Sequence, residues 1–93
     1  MINRAIVAVL SVLLAASSWA QSPSDTEKAQ ALMERGAALM DQKNADLAEP
    51  LLKQATVLSP SNPLAFYYLG SAEMTLGKYT ATQEAMQAAL RLD

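Results

Sequence analysis

The chain has 93 residues, 52% of them hydrophobic, no His and no Cys, and a formal net charge of −2. That length allows one small domain, and the absence of Cys means no disulfide can support it. Missing His and Cys removes the commonest catalytic bases, nucleophiles and metal ligands, while the mild acidity argues against nucleic acid, which binds basic surfaces.

The chain opens with a short, weakly basic start, Met1 to Arg4, followed by an apolar run from Ala5 to Ala16. Ser18-Trp19-Ala20 then sets small residues where a signal peptidase reads, ahead of polar Gln21-Ser22. This order of regions predicts a secretory signal peptide over residues 1–20, cleaved between Ala20 and Gln21. The apolar run is shorter than the roughly 20 residues a membrane span requires, so no membrane attachment is expected after cleavage. With no Cys near the cut, a lipid anchor is excluded. Cleavage removes one basic residue, Arg4, and no acidic one, shifting the formal charge from −2 to −3.

Residues 21–28 form a polar lead-in, in which Ser24-Asp25-Thr26-Glu27 reads as a capping box. Apolar or small residues at Ala29, Leu32, Met33, Gly36, Ala37 and Met40 then make one helical stripe, broken at Lys43-Asn44. A second helix is expected to start near Asn44 to Asp46, with Leu47, Ala48, Leu51, Leu52, Ala55 and Leu58 as its buried stripe. Pro50 falls inside it and donates no backbone hydrogen bond, so that helix should start late, around Asp46, or bend. Ser59 to Pro63 is a stop and restart, with Asn62 as cap and Pro63 in the first position of a third helix. Gly77 should end that helix in the left-handed conformation. Thr80-Ala81-Thr82-Gln83 offers a capping box for a fourth helix reaching about Leu92. No segment alternates with period two, so no strand is expected.

The second half repeats the first at a spacing of 34 residues: Ala31 returns as Ala65, Gly36 as Gly70, Met40 as Met74 and Ala55 as Ala89. A period of this size signals stacked helical units, each too small to bury its own apolar face. Both units resemble the tetratricopeptide repeat. Residues 29–62 carry Leu32, Gly36, Leu39, Ala48, Leu52, Ala55 and Pro60 at its positions. Residues 63–93, an incomplete copy, carry Phe66, Leu69-Gly70, Gly77, Tyr79, Met86 and Ala89. Arg35, Glu73 and Thr82 depart from the pattern. The resemblance implies an all-α, helix–turn–helix solenoid of two repeats, four antiparallel helices in all, after the signal peptide.

It also implies a function: protein–protein interaction by an adaptor or scaffold, which the signal peptide would send to the periplasm; the missing His and Cys argue against catalysis, and no cofactor is expected. In the family the first helix of each repeat lines a concave face that grips extended or helical peptides. By position that face comprises Met33, Ala37, Met40, Leu64, Tyr67, Ser71 and Met74, flanked by Gln30, Asp41 and Thr75. The Lys, Arg and Asn with which some members hold a terminal carboxylate are replaced here by Met33, Ala37, Tyr67 and Ser71, so the groove is neutral and soft. On helical spacing alone, methionines are core more often than ligand contacts; it is the family position that points Met33 and Tyr67 toward the ligand. The acidic residues, Glu49 and Glu73 among them, read as solvated faces and helix-start charges rather than an acid–base pair. A second reading makes the chain the start of a larger array, or a capping unit forming a homo-oligomer through the fourth helix, where Met86, Ala89 and Leu90 would lie uncovered.

Overall fold

The computed structural model describes residues 23–93; the signal segment, with its Ala20–Gln21 cleavage point, lies outside them. Four helices follow one another: α1 (Asp25–Asp41), α2 (Ala45–Leu58), α3 (Pro63–Thr75) and α4 (Tyr79–Leu92). No strand occurs among the described residues. Short turns fold α1 back on α2 and α3 back on α4, α2 packs against α3, and α1 touches α3.

Local chemistry sets the helix ends. The Ser24 hydroxyl accepts from the Glu27 amide at 3.2 Å, and Asn62 Oδ1 accepts from the Leu64 amide at 3.0 Å with Pro63 in the first turn. Both turns between paired helices use one left-handed residue, Lys43 (φ 63) in the first and Gly77 (φ 76) in the second. Past each, an amide reaches back across the turn: Asn44 to the Leu39 carbonyl and Lys78 to the Glu73 carbonyl, both at 2.8 Å.

Helix α2 starts at Ala45, within the expected Asn44-to-Asp46 start, and runs on through Pro50. The proline and Asp46, whose carbonyl loses its helical partner, both face solvent, where water can replace the missing N–H. At α4 the Thr80 capping box does not form, because the helix is already under way at Tyr79. The left-handed Gly77 delivers the chain into the helix early, and the Lys78 carbonyl accepts from both the Thr82 amide and its hydroxyl at 2.9 Å.

One core runs through both helix pairs. Ala48, Leu52 and Ala55 of α2 meet Ala65 and Ala72 of α3, all five fully buried, with Leu69 and Ala85 beside them. The helix crossings are close where the repeats place glycine. A Cβ on Gly36 would stand 2.7 Å from Leu52 Cδ2, and one on Gly70 would stand 2.9 Å from Met86 Cε. Met86, expected to be uncovered, is instead half-buried in this crossing.

Two carboxylates are also buried, against the expectation that the acidic residues form solvated faces. Glu49 lies under the turn between α3 and α4, where Lys78 Nζ donates to both its oxygens at 2.8 and 3.0 Å. Glu73 is buried at the position that Leu39 holds one repeat earlier.

Candidate protein-binding groove

Helices α1 and α3, the first of each pair, lie side by side and enclose a shallow groove of about 130 Å³. Its walls are Gln30, Met33, Glu34 and Ala37 from α1 and Leu64 and Tyr68 from α3. The family-position residues separate into two kinds. Met33 is core: it is 3% exposed and forms the groove floor, with the Asn62 amide directed at its sulfur at 3.9 Å. Ala37, Met40 and Ser71 are half-buried, and Met40 packs on the core. Leu64, Tyr67 and Met74 are about half exposed, at 54%, 52% and 52%. The spacing along α3 puts these three on one side, and Tyr67 stacks edge-on against Tyr68 with ring centres 5.9 Å apart.

The two aliphatic hydroxyls on this side of α3 are turned inward on their own helix. Ser71 donates to the Tyr67 carbonyl at 3.0 Å and Thr75 to the Ser71 carbonyl at 3.1 Å. An incoming peptide therefore meets apolar side chains and the Tyr67 and Tyr68 rings rather than free Ser71 or Thr75 hydroxyls. Tyr67 and Leu64 border a second apolar cleft, about 320 Å³, completed by Pro63, by Ala89 and Leu90 of α4 and by Asp93 just past its end. Leu90 is 75% exposed, as expected for a fourth helix with an uncovered side.

Electrostatically the unusual group is Glu73. Its carboxyl is pushed above the ordinary carboxylate value, first by loss of water on burial and then by the nearby Glu49 charge, with Lys53 and Lys78 pulling the other way. The burial of Glu49 and Glu73 was invisible to sequence reasoning, although Glu73 in an aromatic slot was the available signal. Among the described residues no group of three or more His, Cys, Asp or Glu is placed to hold a metal ion, and no helix is long and apolar enough to cross a membrane.

Paired antiparallel helices, a glycine at each crossing and one core shared between pairs define a helical repeat scaffold. The chain belongs to the tetratricopeptide repeat family: the family model described as "Tetratricopeptide repeat" matches residues 4–63 and again residues 33–93. Compared with curated proteins and with solved structures, the chain finds no match. Tetratricopeptide repeats are in general non-enzymatic scaffolds that bind proteins or peptides.

Proposed function

We propose that this chain is an exported adaptor, placed in the periplasm by its N-terminal signal, which binds a peptide or helix of a partner protein along α1 and α3. The observation that carries the reading is the row of half-exposed Leu64, Tyr67 and Met74 beside the groove floored by Met33. Large apolar side chains left half in water are the surface that a partner removes from it. Covering one fully contributes roughly 1.5–3 kcal/mol, against about 0–1 kcal/mol for an exposed ion pair.

Tyr67→Ala should therefore lower partner capture from periplasmic extract about tenfold or more, while high salt lowers it little. Capture that survives Tyr67→Ala but disappears in high salt would place binding on a charged outer face instead. Export is checked separately: cell fractionation should recover the chain from the periplasm, and its intact mass should begin at Gln21.

The second apolar cleft favours a second reading, association through α4 with another copy or a further repeat. Under that reading the thermal midpoint rises with protein concentration, and Leu90→Glu abolishes the rise.

A further inference from the structure

On the side of α3 away from the groove lies a slot that the peptide-binding reading does not use. Residues three and four apart share a helix face, so Phe66, Leu69 and Glu73 stand opposite Leu64, Tyr68 and Ser71. The slot holds about 200 Å³; Phe66, Leu69, Ala81, Ala85 and Ala88 form its walls, with Glu73 and Glu84 as its two acids.

The Glu73 carboxylate is the telling feature. The residue is 5% exposed, and its Oε1 is buried with no hydrogen-bond partner. Nearly every buried polar atom in a folded protein has a partner, so each exception calls for an explanation. The two nearby ammonium groups do not supply one. Lys78 Nζ is held by both oxygens of Glu49 at 2.8 and 3.0 Å, and Lys53 Nζ lies 3.9 Å from the same carboxylate. Glu49, Lys53, Lys78 and Glu84 are the charged groups around Glu73, and the one of them that shares the slot is a second acid. A largely apolar slot lined by two carboxylates, one with an unpartnered buried oxygen, complements an aliphatic stem that ends in a positive charge.

We propose that the slot between α3 and α4 receives a lysine or arginine side chain of a bound protein, its methylenes along Phe66, Ala81 and Ala85 and its cationic head between Glu73 and Glu84. The proposal rests on the protein-binding reading but not on the groove, because the slot opens on the other side of α3. The scaffold then engages a partner on two sides: apolar contacts along the groove and one basic side chain in the slot.

A small cation tests this without knowledge of the partner. The purified chain is titrated with n-butylguanidinium and, in parallel, with n-butanol, following methyl signals by NMR. Saturable shifts at Ala81, Ala85 and Ala88 are expected for the cation and not for the alcohol. Glu73→Gln keeps the side chain's shape and should weaken the cation about tenfold or more with unchanged helicity. The Glu73 carboxyl should ionise at lower pH when the cation is present. Tyr67→Ala should leave this binding untouched, so failure of the groove reading and failure of the slot are told apart. Absence of saturable shifts, equal shifts with n-butanol, or unchanged affinity in both Glu73→Gln and Glu84→Gln would overturn the proposal.

Discussion

The two repeats solve the same packing problem with different side chains. At the helix crossing, repeat one sets branched, fully buried Leu52 against Gly36, and repeat two sets half-buried Met86 against Gly70. In the turn, the left-handed position is Lys43 in the first and Gly77 in the second. Under that turn, Leu39 of the first becomes the buried acid Glu73 of the second, and fully buried Ala48 becomes Thr82, whose hydroxyl bonds back to the Lys78 carbonyl. The period therefore conserves backbone path and closeness of approach, while side-chain chemistry varies. Repeat one is the better packed unit, and repeat two is the adjustable one.

The largest test of that contrast is at the glycines. Gly36→Ala should destabilise the fold by about 1–2 kcal/mol, because the new methyl meets a leucine with nowhere to go. Gly70→Ala should be roughly neutral: the flexible end of Met86 can swing aside, and alanine is favoured in a helix over glycine by about 0.5–1 kcal/mol. Equal losses in chemical denaturation would mean that the crossings are equally rigid.

A change of similar size but opposite sign is expected at Glu73. Glu73→Leu installs the residue type that repeat one uses and removes a buried carboxylate with an unpartnered oxygen, so stability at neutral pH should rise by about 1–2 kcal/mol. The pH dependence follows from the raised ionisation of Glu73. The folded state holds this proton more tightly than the unfolded state does. Its penalty is therefore full above the raised folded value and disappears as pH falls below the ordinary value of 4.5. Denaturant midpoints measured across that window should show a smaller gap between Glu73→Leu and the natural chain at the acid end.

The smallest effect belongs to the turns. Lys43→Gly should stabilise by roughly 0.5–1 kcal/mol, since glycine adopts positive φ without a Cβ penalty, and Gly77→Ala should lose a comparable amount. For a domain of this size each kcal/mol moves the thermal midpoint by about 4–8 °C, well within reach of a melting curve.

The regular features were legible because they are local. Helix stripes, the Asn62-Pro63 start and the Gly77 stop depend on neighbours within a few residues, and so does the repeat once two copies are aligned. Glu49 was misread because its partner, Lys78, comes from the next unit's turn, which only the packed structure brings near. The Thr80 cap was misread because Thr80 has suitable chemistry, yet the turn before it decides where the helix begins. The helical period put the expected groove residues on one side of each helix without showing which of them line the groove: Met33, Ala37 and Leu64 do, while Tyr67 and Met74 stand beside it. Which of them reach solvent depends on packing between helices that the sequence does not show: Met33 is buried while Tyr67 is half exposed.

Ala65 and Ala72 of the second repeat have no exposed surface because they complete the core of the first. Neither repeat therefore owns its interior, and local opening of one strips the other. Amide hydrogen exchange should report this as a single cooperative unit, with core amides of α2 and α3 sharing one opening energy instead of falling into two classes. A cut in the Ser59-to-Asn62 linker should therefore leave two halves that each lack part of their core, and their helicity after cleavage should fall together.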